Sequence, residues 1–259
     1  MSPHTFTESI VEDAALDWLA ELGYGIRHGQ DIAPGEPQAE RDSFGEVVLV
    51  GRLRAALMRL NSRLPEEVRE DALRQTLRVG GPGLVESNRR FHALLTGGVP
   101  VEVKRPDGST AGERAWLIDF DTPERNDWLA INQFTIIEGR ANRRPDIVLF
   151  VNGLPLAVLE LKNAADEHAT IAGAWNQFQT YQRDIPSLFV YNAGLVLSDG
   201  TEARLGSLTA PFERFMPWRT VDGDTLAPRS VPELETLLHG VFSQRRFLDL
   251  LHHFIVFEV

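Results

Sequence analysis

Arg144-Pro145-Asp146-Ile147-Val148-Leu149-Phe150-Val151-Asn152-Gly153-Leu154-Pro155-Leu156-Ala157-Val158-Leu159-Glu160-Leu161-Lys162-Asn163 is the stretch that decides the fold. Residues 147–151 and 156–159 are apolar without a polar break, as strands covered on both faces are. Asn152-Gly153 between them is a turn signal. The segment reads as a buried β-hairpin. With the loop centred on Gly153, Asp146 and Glu160 stand opposite each other, each seven positions away. Cβ atoms at facing positions lie about 5 Å apart. Lys162 is two residues beyond Glu160 and points to the same face.

Two carboxylates held at the end of an apolar hairpin repel each other, and burial adds a desolvation cost. They share a proton, find a cation, or sit in open water. A divalent metal ion removes the repulsion and takes both groups as oxygen ligands. Lys162 adds a mobile positive charge beside them. The plainer alternative is a turn cap at Asp146 and a strand-end ion pair between Glu160 and Lys162.

The chain of 259 residues is 43% hydrophobic, enough for a packed core and too much for a disordered protein. Its length allows one large domain or a core with an added lobe. There is no cysteine, which excludes disulfides, thiolate zinc sites and cysteine nucleophiles. This composition fits a reducing cytoplasm. No segment approaches the roughly 20 apolar residues of a membrane span, and no signal-peptide pattern opens the chain, so no membrane partner is expected. The net charge of −11 means that any grip on DNA is local or assisted. Arg140, Arg143 and Arg144, just before Asp146, form the clearest basic cluster. Contact with a phosphate backbone and a solvated surface are both open readings of it.

Around the hairpin, residues 9–22 carry a helical apolar stripe and 31–43 read as a loop. Helices are expected near 45–61, 65–78 and 86–96, the last ending at Gly97-Gly98. Strands at 99–104 and 114–120 flank the turn signal Pro106-Asp107-Gly108. A short helix over 123–131 and a strand over 134–138 lead into the hairpin. A helix over 166–183, strands at 188–192 and 195–198, and helices at 232–239 and 243–253 follow. The whole is an α/β arrangement: a mixed central sheet flanked by helices, with an N-terminal helical lobe. The division expected is a lobe and β-hairpin over 1–120, a core over 121–210 that includes the first helix, and a C-terminal helical segment over 211–259. Residues 247–259 are unusually apolar, so either they fold back or the natural chain continues. In the helix after the hairpin, Gln177 and Tyr181 are an i,i+4 pair on one face. An amide and a phenol placed there can orient a catalytic group or contact a phosphate. A core aromatic beside an exposed helix former is the other reading.

Pro145-Asp146, a spacer, then Glu160-Leu161-Lys162 resembles the PD-(D/E)xK nuclease superfamily. The Gln-x-x-x-Tyr pair resembles a pattern carried by its RecB-like and restriction-motor members. Residues 133–200 resemble the endonuclease domain of the R (motor and cleavage) subunit of type I restriction enzymes. The similar segments are Gln133-Phe134, residues 144–148, residues 159–163, Asn176-Gln177 with Tyr181, and residues 189–192. Val11-Glu12-Asp13-Ala14, Leu22-Gly23-Tyr24 and residues 242–257 resemble the same subunit.

The resemblance implies a PD-(D/E)xK core and a Mg²⁺-dependent endodeoxyribonuclease, with Mn²⁺ as a substitute. Asp146, Glu160 and the Leu161 backbone carbonyl would hold the ion. Lys162 would orient a water or stabilise the phosphorane, and Gln177 and Tyr181 would position Lys162 or the DNA backbone. Related nucleases place a glutamate of the first helix near the metal, and Glu12 matches it best. Ser9-x-x-Glu12 is equally a capping-box signature. The implied partners are double-stranded DNA and the methyltransferase and specificity subunits of a restriction-modification complex. Cutting would follow translocation, far from the recognition site. No Gly-x-x-x-x-Gly-Lys-Ser/Thr loop is present, so ATP is expected to act only in the full-length subunit. A self-contained RecB-like repair nuclease and a docking domain with a decayed site are the alternatives.

Overall fold

The computed structural model describes residues 3–162 and 170–257. In chain order its elements are α1 (Pro3–Glu21), β1 (Gly25–His28), α2 (Val50–Leu60), α3 (Glu66–Leu77), α4 (Leu84–Gly97), β2 (Val99–Lys104), β3 (Thr110–Ala115), β4 (Trp128–Asn132), β5 (Ile136–Glu138), β6 (Ala141–Arg143), β7 (Ile147–Val151), β8 (Leu154–Leu161), α5 (Ile171–Asp184), α6 (Pro186–Phe189), β9 (Gly194–Ser198), β10 (Ala203–Gly206), α7 (Glu233–Val241) and α8 (Gln244–His253). The central sheet has six strands in the order β1-β4-β7-β8-β9-β10. β1 runs parallel to β4 and β8 parallel to β9, while the other neighbours are antiparallel. This is the mixed, helix-flanked sheet the sequence leads one to expect. Every residue of β4, β7, β8 and β9 is buried, so the sheet is covered on both faces. α1 packs on β1, β4 and β8, and α5 on β8 and β9.

The register of the β7–β8 hairpin has two parts. At the turn, Val151 faces Leu154 and Phe150 faces Pro155. Asn152 (φ 53°) and Gly153 (φ 80°) form a two-residue loop, both in the left-handed region that a type I′ turn requires. The loop is therefore centred between Asn152 and Gly153, not on Gly153. Extended unchanged, that register would set Leu159 opposite Asp146. A bulge at Leu156 adds one residue to β8, and beyond it Leu149 faces Ala157 and Ile147 faces Leu159. One step further, Asp146 faces Glu160. The predicted pairing holds at the charged end because the bulge compensates the turn.

The helical lobe sits at the turn end of this hairpin. Leu49 donates its N–H to the Gly153 carbonyl at 2.9 Å. A Cβ on Gly153 would lie 2.5 Å from the Leu49 carbonyl oxygen, so glycine alone allows that approach. The Asn152 side chain is fully buried and saturated. Its amide donates to the Leu117 carbonyl and to Asn126, and its oxygen accepts from Arg59 and from the Asp127 N–H.

Three local expectations fail. The strand expected at 114–120 is β3 at Thr110–Ala115, and residues 116–120 lie outside any strand. In place of a helix over 123–131 there is a single 3₁₀ turn, Pro123–Arg125, and then the central strand β4. Pro123 suits the first turn of a helix, but Trp128–Asn132 is apolar on both faces and pairs with β1 and β7. Tertiary pairing overrides the local pattern. In place of a strand over 188–192, Pro186 opens the one-turn helix α6, and β9 begins at Gly194. β1 and β10, four residues each, fall in stretches the sequence reading leaves unassigned. The expected helix start at 166 lies outside the described residues. The apolar end docks in part: Phe247, Leu248 and Leu251 are in the core, whereas Phe254 and Val256 are exposed.

Candidate active site

β7 and β8 end at one open cleft of about 320 Å³, lined by Gln133, Asn142, Arg143, Arg144, Asp146, Glu160, Lys162, Gln177 and Tyr181. The structure thus brings together the acid pair, the lysine, the helix pair and two of the three arginines. Arg140 is exposed in the β5–β6 turn and is not among the lining residues. The larger groove of about 1200 Å³ between α3 and the β2–β3 ribbon shares no residue with this cleft.

Backbone geometry fixes the acids. The Asp146 carbonyl accepts from the Gln133 N–H at 2.8 Å, so the backbone of Asp146 faces β4. Its side chain turns to β8, where Oδ2 accepts the Leu161 N–H at 2.7 Å. The Lys162 N–H goes the other way, to the Ser198 carbonyl of β9 at 2.7 Å. Alternation along β8 then aims the Leu161 carbonyl towards β7, where the register places Pro145 opposite it. Proline has no N–H to offer that oxygen.

Glu160 is 2% exposed and its Oε1 accepts from Lys162 Nζ at 2.6 Å. The Asp146 carboxyl titrates well above the usual carboxylate range, first because it is buried and next because Glu160 lies beside it. The Leu161 N–H and Lys162 act in the opposite direction and do not overcome this. The Tyr181 hydroxyl is raised by burial and then by Glu160, so it stays neutral and able to donate. Gln177 and Glu160 stand beside it, and it donates to the Arg144 carbonyl at 3.4 Å. Arg143 is engaged by Asp184 of α5 at 2.5 Å.

Glu12 is half-buried in the middle of α1, since that helix begins at Pro3. Positions 9 and 12 therefore lie inside the helix and not at the N-terminus that a capping box requires. Glu12 Oε1 accepts from Asn132 Nδ2 at 2.6 Å and Oε2 from Gln133 Nε2 at 2.5 Å. The Gln133 amide reaches Asp146 Oδ1 at 3.5 Å, so Glu12 stands one amide away from the acid pair. Asn132 Oδ1 in turn meets His28 Nδ1 at 2.7 Å. Because a carboxylate only accepts, the Asn132 amide must donate to Glu12, and His28 must carry its proton on Nδ1. Sequence reasoning passes over His28, Asn132 and Gln133 as site residues. Two amides ending an apolar strand were the available signal.

The donor set has the chemistry of a hard-cation site. Among the described residues, no group of three or more Asp, Glu, His or Cys side chains is arranged to hold a metal. Two convergent carboxylates plus a backbone oxygen suit Mg²⁺, which is bound by one or two carboxylates and keeps waters or phosphate oxygens in its other positions.

The model of the type I restriction enzyme R protein N terminus matches residues 5–214. The chain belongs to this family. It is 40% identical over 254 residues to the type I restriction enzyme HindI endonuclease subunit of Haemophilus influenzae, covering 97% of this chain and 24% of that protein. It is 31% identical over 268 residues to a provisionally named type I restriction enzyme MjaIXP endonuclease subunit of Methanocaldococcus jannaschii, covering 96% and 25%. The type I restriction enzyme EcoprrI endonuclease subunit of Escherichia coli is 30% identical over 155 residues, covering 56% and 47%. The chain spans about a quarter of the length of the first two relatives. As an R protein N terminus it has, among the described residues, no helix long and apolar enough to cross a membrane.

Proposed function

We propose that this R protein N terminus is the DNA-cutting module of a type I restriction enzyme, hydrolysing phosphodiester bonds with Mg²⁺ as cofactor. The observation that carries the reading is the convergence of Asp146, Glu160 and Lys162 on one cleft, with the Asp146 carboxyl raised by burial and then by the neighbouring Glu160. Asp146, Glu160 and the Leu161 carbonyl would hold the ion, and Mn²⁺ would be able to take its place. When bound, the ion supplies charge neutralisation at the phosphate and a lowered water pKa. Lys162 Nζ turns from Glu160 towards the attacking water or the phosphorane oxygens, where a fixed cation is worth most. Tyr181, neutral and beside Glu160, helps to keep that carboxylate in place, and Gln177 steadies Tyr181 or the DNA backbone. Arg143 and Arg144 line the cleft where the phosphate backbone enters, and Arg140 follows in the exposed β5–β6 turn as a further candidate contact.

The relatives are named as subunits of type I restriction enzymes, which supports partners within a larger complex. Recognition and methylation belong to the specificity and methyltransferase subunits, and the ATP-driven movement belongs to the remainder of the R subunit. The acidic net charge agrees with a module delivered to double-stranded DNA by others.

The Glu160–Lys162 ion pair favours one other reading, a docking domain whose acids are merely neutralised by the lysine. Two measurements separate them. Calorimetric titration of the chain shows Mn²⁺ binding that Asp146→Ala removes. In the assembled complex, Asp146→Ala, Glu160→Ala and Lys162→Ala each abolish cutting and leave the fold intact. An Asp146→Ala complex that cuts at the wild-type rate refutes the nuclease assignment.

A further inference from the structure

We propose that Gln133 is a positioning residue for the cation site, and that Glu12 acts on that site through Gln133 rather than as a direct ligand. The inference rests on the ion-site reading above and deepens it.

Among the described residues, Gln133 (φ 52°) and Asn152 are the non-glycine residues at positive φ. Asn152 occupies a hairpin turn that demands this conformation. Gln133 has no such excuse: it follows the last residue of β4, and its side chain is not one that favours the left-handed region. Such strain persists only where the surroundings over-determine it. Here two contacts do so. The Gln133 N–H donates to the Asp146 carbonyl at 2.8 Å, and the Gly29 N–H to the Asn132 carbonyl at 2.8 Å. A Cβ on Gly29 would lie 2.4 Å from the Gln133 carbonyl oxygen, so only glycine lets β1 close on the kink.

The kink aims the Gln133 amide between two carboxylates. Its two N–H bonds serve Glu12 Oε2 at 2.5 Å and Asp146 Oδ1 at 3.5 Å. Glu12 Oε1 is taken by Asn132, so both of its oxygens are occupied by amides. This agrees with the absence of a three-carboxylate cluster among the described residues. Glu12 fixes which end of the Gln133 amide faces Asp146, since it accepts and cannot donate. Asp146 is then oriented from both sides, at Oδ2 by the Leu161 N–H and at Oδ1 by Gln133. Outer partners of this kind set ligand orientation and typically carry a 10- to 100-fold share of metal affinity.

The test is calorimetric titration of Mn²⁺ into the chain, with unfolding midpoints measured in parallel. Gln133→Gly and Glu12→Gln each weaken Mn²⁺ binding by about tenfold. The double variant is no weaker than either single one, because one relay is broken in all three. Gln133→Gly keeps an unfolding midpoint close to wild type, as glycine adopts positive φ freely. Gln133→Asn, which tolerates that φ but falls one methylene short, shows the same weakening and serves should the glycine variant not fold. Unchanged binding in both Gln133 variants overturns the proposal, as does a double variant weakened by the product of the two effects. In either case the wild-type chain still binds Mn²⁺ and the nuclease reading stands. A wild-type chain that binds no Mn²⁺ overturns both.

Discussion

Replacing Asp146 by asparagine is expected to stabilise the ion-free protein while destroying its function. Lys162, the cation beside Asp146, sits 2.6 Å from Glu160 and offsets only part of the repulsion between the two acids. Two unit charges about 5 Å apart, at the effective dielectric of a partly buried site, repel by about 3 kcal/mol. Lys162 offsets a large part of this, which leaves roughly 1–2 kcal/mol to be recovered. Asparagine keeps an oxygen for the Leu161 N–H and offers Glu160 a donor. For a domain of this size the gain raises the unfolding midpoint by about 3–6 °C. The pH dependence has a definite sign. The folded-state pKa of Asp146 is raised, by burial first and then by Glu160, above its ordinary 3.8. A raised carboxylate penalises folding only as pH climbs past its unfolded value, and fully above its folded value. The advantage of Asp146→Asn is therefore largest at neutral pH and shrinks towards nothing near pH 4. Calorimetric or fluorimetric melts in chelator from pH 4 to pH 8 measure it directly. Millimolar Mn²⁺ then raises the midpoint of the wild type and leaves the variant where it was. An asparagine variant no more stable than wild type at pH 7.5, or an advantage that grows in acid, refutes the reasoning.

Lys162→Met keeps the aliphatic stem and removes the ammonium. Single-turnover cleavage by the assembled complex falls by about 100-fold or more, whereas Mn²⁺ affinity by calorimetry stays within a few-fold. Asn152→Ala removes the four hydrogen bonds of a fully buried side chain and a residue suited to positive φ, and lowers stability by about 2–4 kcal/mol in urea melts. Arg144→Ala lowers the slope of log DNA affinity against log salt by about 1 in anisotropy titrations, while Arg143→Ala changes it less because Asp184 already engages that guanidinium.

Much of the site was legible because strand geometry is simple. An acid before one apolar run, an acid after the next, and a lysine two places on must share a face once the runs pair. The helix pair Gln177 and Tyr181 was legible for the same reason, as four residues make one turn. What could not be read were features created by distant contacts. β4 resembles a short helix until β1 and β7 flank it. Residues 188–192 resemble a strand until Pro186 and the docking of α6 against α4 and α5 are seen. The role of Gln133 depends on a left-handed backbone that no pattern of residue types announces, and on the proximity of Gly29, more than a hundred positions away. Glu12 was found as a residue, yet its two amide partners place it at one remove from the acids.

The hairpin carries a further consequence for how such a module decays. Because β7 and β8 are apolar on both sides, a slip of one position leaves the interior as oily as before and is almost silent to the packing. Only the extra residue at Leu156 keeps the acids abreast. A one-codon insertion between Ala157 and Leu159, with the bulge retained, would leave a folded subunit in which Leu159 stands where Glu160 should be. Loss of cutting in this lineage therefore needs no altered acid, only a miscounted strand.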